Sequence, residues 1–307
     1  MRYFVTGASG WIGSATVAEL IAAGHQVSGL ARSDASAASL AAAGADAVRG
    51  TIDDLDVLRE AAAASDGVIH LAFKHDTAFS GGFQEAAEAD RRAVDAFGEA
   101  LAGSDRPLVL ASGVAGLKPG RLATERDMPQ IDGSPLSIRG TTAEAVLALA
   151  PRGVRSSVVR IAPTAHGDGD HGFVASLISF ARDKGSAGYI GDGANRWPAV
   201  HRSDAAKLFA LAADKAPAGS VLHAVGEQGV PFRELAERIG RHLGLPVASV
   251  APEEAGGYFG WMSGFVGLDA PSSSDLTQEL LGWRPTGPGL LADLDEGHYF
   301  RAAGAGV

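Results

Sequence analysis

The hydrophobic positions of this chain follow two alternating rhythms. Short runs rich in β-branched and aromatic residues read as strands, and longer stretches with apolar residues three and four apart read as helices. The first run, Tyr3-Phe4-Val5-Thr6, passes through Gly7-Ala8-Ser9-Gly10-Trp11-Ile12-Gly13 into a helical stretch at 14–20. A strand at 26–31, an alanine-rich helix at 36–43, a short strand at 47–50 and a helix at 54–64 follow. Gly67-Val68-Ile69-His70-Leu71 is apolar on both sides, the pattern of a strand buried on both faces of a parallel sheet. Next come a long helix at 83–101, a strand at 107–113, a helix from Ser134-Pro135 to about 150, and a strand at 153–161. Ser134-Pro135 reads as a capping serine with proline in the first turn. So regular an alternation predicts an α/β protein built on a doubly wound parallel sheet.

After residue 161 the rhythm breaks. Residues 163–172 are rich in Gly, His and Asp, and a helix at 173–182, a short apolar pair at 189–190 and a Gly191-Asp192-Gly193 turn follow. A helix at 203–214 and a strand at 221–225 return the chain to the sheet, and helices at 231–243, 253–265 and 273–281 close it. No repeat and no low-complexity linker separates the parts. The expected organisation is a dinucleotide-binding domain over 1–162, completed by about 199–226, with a smaller interleaved substrate lobe from 163–198 and 227–307.

The turn between the first strand and helix spaces its glycines as G-x-x-G-x-x-G. Glycine lets a pyrophosphate approach the backbone, and free N–H groups at a helix start attract the anion. That context predicts a Rossmann fold that binds a dinucleotide through Gly7, Ser9, Gly10, Trp11, Ile12 and Gly13. The end of the second strand sets the preference between cofactors. Arg32-Ser33 offers a cation and a hydroxyl to the 2′-phosphate of NADP, where an acid would hold the ribose of NAD, although Asp34 follows at once. NADPH is therefore expected over NAD. Thr51 and Ile52 fall beside the adenine, and Leu71, Ala72 and Phe73 pass under the cofactor.

Composition narrows the partners. The 307 residues carry 26 basic and 36 acidic side chains, a formal charge of -10, with no polybasic run, which disfavours nucleic acid and anionic membranes. The absence of cysteine excludes disulfides, thiolate nucleophiles and Cys metal sites. No secretory pattern precedes the first strand and no apolar stretch reaches membrane-spanning length, so a cytoplasmic protein is expected.

Taken in order, the Gly7, Gly10, Gly13 turn, His70-Leu71-Ala72, Ser112 after the fifth strand, Ala165-His166-Gly167-Asp168-Gly169, and Gly191-Asp192-Gly193 followed by Val200-His201-Arg202-Ser203-Asp204 resemble the extended short-chain dehydrogenase/reductase group of NAD-dependent epimerases and dehydratases. In that group a Ser or Thr after the fifth strand works with a Tyr and a Lys four residues apart on the next helix. Here the pair is absent: no register supplies either residue, and Tyr3, Tyr189, Tyr258 and Tyr299 all lie far from that helix. The resemblance is to an atypical member that keeps the cofactor cradle and lacks the usual acid.

The resemblance carries Ser112 over as an oxygen-orienting donor that also meets the cofactor, and implies cofactor contacts at Ile161 and Pro163. Arg139 lies on the helix of the missing pair. A guanidinium stays protonated, so it donates hydrogen bonds but cannot be the acid. His75, beyond the end of the fourth strand where open sheets place ligands, is the candidate proton carrier. His70 reads as core, and His201 and Asp204 as structural. No metal site is expected: His166, Asp168, Asp170 and His171 crowd one loop, but alternating Gly and Asp is ordinary turn chemistry. Gly256-Gly257-Tyr258-Phe259-Gly260-Trp261-Met262 could line an apolar pocket, and the second lobe offers no evident arginine pair for a nucleotide-sugar diphosphate.

The expected function is NADPH-dependent reduction of a small, mostly apolar carbonyl, imine or enone compound. The alternatives are an epimerase or dehydratase with tightly bound cofactor, or a non-catalytic NADP-binding redox sensor. A homodimer through helices 83–101 and 135–150 is expected by analogy.

Overall fold

The computed structural model describes residues 1–131, 133 and 135–301. The capping serine expected at Ser134 lies outside the described residues. The strands are β1 (Arg2–Thr6), β2 (Gln26–Ala31), β3 (Asp46–Arg49), β4 (Gly67–His70), β5 (Pro107–Gly113), β6 (Arg155–Ile161), β7 (Thr164–His166), β8 (Ala187–Ile190), β9 (Arg196–His201), β10 (Ser220–Ala224), β11 (Glu227–Pro231) and β12 (Val247–Val250). The main helices are α1 (Trp11–Ala22), α2 (Asp34–Ala42), α3 (Leu55–Ala63), a single turn α4 (His75–Thr77), α5 (Phe83–Leu101), α6 (Pro135–Leu147), α7 (Phe173–Lys184), α8 (Arg202–Lys215) and α9 (Phe232–Leu243).

Seven strands form one sheet in the order β10-β6-β5-β4-β1-β2-β3, with every pairing parallel. The expected doubly wound Rossmann sheet is thus present. Alternate residues of each strand feed opposite faces. Val109, Ala111 and Val159 join Val17, Leu20, Leu208 and Phe209 of α1 and α8 on one side. Leu108, Leu110 and Val158 join Leu58, Phe97 and Val146 of α3, α5 and α6 on the other. The strand order reverses between β1 and β4, and this switch point, beyond the carboxyl ends of the strands, is where such sheets hold ligands.

The second part builds its own core from Val174, Leu177, Trp197, Phe232, Leu235, Phe259 and Leu290. It contains a three-stranded sheet, β11-β9-β7, and a parallel pair, β12-β8. Both differ from the expected pattern, in which only the apolar pair at 189–190 marked this region. The helix expected at 253–265 is broken into short turns, Pro252–Glu254, Ala255–Phe259, Gly260–Met262 and Ser263–Val266, because Gly260 takes φ +52° and interrupts the spiral. The segment that follows β5 docks on the second lobe: the N–H groups of Gly120 and Ala123 donate to the carbonyls of Asp269 and Pro271, each at 2.8 Å.

Candidate active site

β1 ends at the switch point, and its next residue fixes the site. Gly7 has φ +65°, and a Cβ there would stand 2.8 Å from the Ala72 nitrogen at the end of β4. At Gly13 an added Cβ would stand 1.9 Å from the Gly7 carbonyl oxygen, so the helix packs onto the turn only if this position is glycine. α1 starts at Trp11 with Gly10 before it, and no side chain caps the first turn. Its leading N–H groups therefore face the open ground beside exposed Ser9 and Gly10. The residues present fit the pyrophosphate of a dinucleotide.

At Trp11 only the backbone is open to a ligand, because the side chain is engaged elsewhere. Its indole N–H donates to the Ala165 carbonyl at 2.9 Å, and the Arg202 guanidinium lies 4.2 Å from its ring centre. Arg202 also donates to the Trp11 carbonyl at 2.7 Å and to the Ser14 hydroxyl at 2.6 Å. The turn is thereby fastened to β7 and α8.

Just beyond the end of β2, the Arg32 side chain is 78% exposed and only loosely paired with exposed Asp76, 4.0 Å away. Asp34, the acid that obscured the sequence signal, is bound in an ion pair by Arg49. Ser33 caps α2: its hydroxyl accepts the Ser36 N–H at 3.1 Å, and the Ser36 hydroxyl accepts the Ser33 N–H at 3.0 Å. Thr51 is exposed and donates its N–H and hydroxyl to Asp54 at 2.7 and 2.9 Å, whereas Ile52 is buried beneath it. Lys74 pairs with Asp53 at 2.6 Å and closes this rim.

Two of the three candidate catalytic residues, Arg139 and His75, share Phe73 near the carboxyl end of β4, and the third, Ser112, follows on β5 the residue whose carbonyl Arg139 binds. Arg139 donates from Nη2 to the Ala111 carbonyl at 2.8 Å, and its guanidinium lies 4.1 Å from the centre of the Phe73 ring. Ser112 follows Ala111 on β5 and pairs in register with Arg160, on the face of the sheet that α5 and α6 cover. The His75 ring meets Phe73 edge-on at 5.2 Å. The apolar rings packed around the His75 imidazole push its pKa down to about 4 although the residue keeps an exposed edge, and the Arg139 charge adds to the effect, so the imidazole is neutral at pH 7. Burial also works against the Arg139 charge, which Asp90 supports. Ile161 and Pro163 lie beside this point, Ile161 in register with Gly113.

Asp90 is a residue the sequence reading missed. It lies on α5 at 1% exposure, and its Oδ1 stands 3.1 Å from His70 Nε2. His70 Nδ1 in turn is 2.6 Å from the Thr6 hydroxyl oxygen, which also accepts the Ala72 N–H at 3.2 Å. His70 is core as expected, but it is core in a polar line from the glycine turn to the region of Arg139. The available signal was an acid on the otherwise apolar stripe Ala86, Ala89, Ala93, Val94 and Phe97.

Three of the four tyrosines are hydrogen-bonded away from the site of the missing acid. Tyr3 donates to Asp214 at 2.7 Å, Tyr299 to Asp170 at 2.8 Å, and Tyr258 to the Ser186 carbonyl, and burial raises the pKa of all three. The four groups of the 166–171 loop do not converge. His166 pairs with buried Asp293 at 2.8 Å, Asp170 accepts the Gly172 N–H and the Tyr299 hydroxyl, and exposed His171 meets Trp11 edge-on. His201 caps α8, and Asp204 accepts the Thr286 and Gly287 N–H groups at 2.9 and 2.7 Å, both structural as expected.

Comparison with known proteins agrees with this geometry. The chain is 49% identical over 302 residues to an uncharacterized protein of Schizosaccharomyces pombe, covering 98% of this chain and 100% of that one. It is 44% identical over 296 residues to an uncharacterized protein of Saccharomyces cerevisiae, covering 96% and 98%. Among solved structures, a double mutant of the dTDP-glucose 4,6-dehydratase DesIV from Streptomyces venezuelae, with NAD and DAU bound, superposes with a TM-score of 0.79 at 22% identity over 99% and 98% of the two chains, a likeness of fold. Residues 3–224 match the model of the NAD dependent epimerase/dehydratase family. With the glycine turn, the parallel sheet that reverses its order at β1 and that match together, this chain belongs to the NAD dependent epimerase/dehydratase family, as a member without the Tyr and Lys pair.

Proposed function

We propose that this protein is an NADPH-dependent reductase of small, mostly apolar carbonyl, imine or enone compounds. The observation that carries the reading is Arg139: a permanently charged donor, anchored on the Ala111 carbonyl and the Phe73 ring, beside Ser112. Gly7, Ser9, Gly10, Trp11, Ile12 and Gly13 would hold the pyrophosphate, and Thr51 and Ile52 the adenine. Leu71, Ala72, Phe73, Ile161 and Pro163 would flank the nicotinamide half. When bound, the cofactor supplies the hydride. Ser112 and Arg139 donate hydrogen bonds to the substrate oxygen or nitrogen and meet the charge that develops there. Arg139 keeps its proton, so the proton comes from water. His75, neutral at pH 7, orients that water.

Two features support NADPH over NADH. Arg32 is free to turn onto a 2′-phosphate, and Arg49 neutralises the acid that would otherwise repel it. The apolar substrate class is supported by the second lobe, formed by 163–198 and 227 onward, which turns the rings of Phe173, Trp261 and Phe265 toward Phe79 beside the site. The test is a panel of aldehydes, ketones, imines and enones with NADPH or NADH, followed by nicotinamide absorbance. NADPH consumption with formation of the reduced product is expected, and Arg32→Ala should remove most of the preference, about 10- to 100-fold in affinity for one lost charge-assisted contact. Tight NADPH binding with no turnover on any member of the panel contradicts the reading.

A further inference from the structure

From the candidate oxygen site an unbroken line of rings runs across to the second lobe. Phe73 carries Arg139 and meets His75; His75 faces Phe79 at 5.7 Å with 30° between the ring planes. Phe79 meets Trp261 at 4.5 Å, again tilted by 30°. Phe173 and Phe265 complete the wall, at 5.5 and 6.4 Å from Trp261. Phe79 belongs to the turn between β4 and α5, whereas Trp261 belongs to the second lobe, so the pair meets from opposite sides of the cleft.

We propose that Phe79 and Trp261 form a slot for the flat ring of the substrate, which makes aryl carbonyl compounds the preferred class. This deepens the function proposed above and rests on it for the reaction, though not for the binding. Three observations carry it. Trp261 remains 40% exposed, more than the half-buried rings of Phe79, Phe173 and Phe265 around it. The two rings, 4.5 Å apart and inclined at 30°, cover each other's faces, so parting them opens two π surfaces to a planar guest, and the neighbouring walls are the rings of Phe173 and Phe265, with His75 at the inner end.

Both segments also have backbone freedom to part. Gly81 has φ +102° and Gly260 has φ +52°, while an added Cβ at Gly256, Gly257 or Gly264 would meet nothing within 4 Å. Glycine at those last three positions is not there to make room; it loosens the short turns that carry Trp261. The guest enters by separating the rings by about one aromatic thickness, and its carbonyl then points along the line of rings toward Arg139.

The experiment has a kinetic arm and a binding arm. In the first, kcat/KM for benzaldehyde is divided by kcat/KM for propanal in wild type, Phe79→Ala, Trp261→Ala and Trp261→Phe. The two alanine variants should lower that ratio about tenfold or more, while Trp261→Phe, which keeps a ring, should stay within about threefold of wild type. In the second, without cofactor, benzyl alcohol should change the tryptophan fluorescence of wild type saturably, and Phe79→Ala should weaken that binding about tenfold. A ratio that does not move in either alanine variant overturns the slot. So does the absence of saturable binding in folded wild type. If benzyl alcohol binds as described but no aldehyde is reduced, the slot stands and the reductase reading falls.

Discussion

Arg139→Met separates the proposed chemistry from cofactor binding. The substitution keeps a long flexible side chain and removes the charge. It takes a charged donor from the Ala111 carbonyl at 2.8 Å and a cation from the Phe73 face at 4.1 Å. Losing such a hydrogen bond costs about 1.5–3 kcal/mol and losing the ring contact about 0.5–1 kcal/mol, with methionine contact recovering part of it, so a folded but less stable protein is expected. The kinetic effect follows from the charge that develops on the substrate oxygen, because one donor removed from such a site costs about 2.7–4 kcal/mol, or 10²–10³ in kcat. NADPH affinity should stay within about threefold, since Arg139 is held by Ala111 and Phe73 rather than by the glycine turn. Arg139→Lys should recover only part of the rate, because an ammonium cannot both stack on Phe73 and reach Ala111 with a planar fork. The assay is steady-state turnover of the best aldehyde in the panel, with NADPH binding followed by nicotinamide fluorescence and folding by circular dichroism. A folded Arg139→Met protein whose kcat/KM stays within about threefold of wild type refutes the assignment.

Gly7→Ala should abolish measurable dinucleotide binding, because φ +65° and a Cβ 2.8 Å from the Ala72 nitrogen force the turn open; unchanged affinity by fluorescence titration contradicts the placement of the cradle. Asp204→Ala should destabilise the protein by about 2–4 kcal/mol, read as a lowered Tm, since it strips the Thr286 and Gly287 N–H groups of their acceptor and unties the loop after Trp283. Stability should also fall with acid in a defined window. His223 is fully buried, and burial pushes its pKa down to about 4. Between about pH 6.5 and 4 the unfolded chain therefore binds a proton that the folded one refuses, so stability is complete above pH 6.5 and declines below it, by about 3 kcal/mol at most from this group. Denaturant unfolding across that range should show a shallower decline in His223→Gln than in wild type.

The first half of the fold was legible because its pattern is local. β2, β5 and α5 fall at 26–31, 107–113 and 83–101 as their apolar periods predict, and the parallel order follows from regular alternation. The second lobe was not, because β7, β9 and β11 are short and owe their pairing to partners tens of residues away, such as Thr164 beside Ala199 and Glu227 opposite Ala199. The stretch 253–265 misled for another reason. Its aromatic spacing fits a helix, but Gly256, Gly257, Gly260 and Gly264 withdraw the backbone preference that a helix needs.

The candidate site divides along the same line. The glycine turn announced itself because three residues within seven carry all its geometry. The meeting of Arg139, Phe73 and His75 joins segments more than sixty residues apart, and nothing local distinguishes Arg139 from a surface arginine. Asp90 could be suspected only from its place on a buried stripe, and Phe79 only once Trp261 is seen to face it.

The most direct test of the account is the fate of a labelled hydride. The protein is supplied with NADPH carrying deuterium at the transferable C4 position and with the preferred aldehyde, and the products are read by mass spectrometry and proton NMR. The account expects one deuterium on the former carbonyl carbon of the alcohol and one NADP⁺ formed per alcohol. NADPH that binds yet retains its label, or label that returns to the cofactor with no net oxidation, contradicts it; the first outcome points to a nucleotide-binding protein without reductase chemistry, and the second to an enzyme that recycles a bound cofactor.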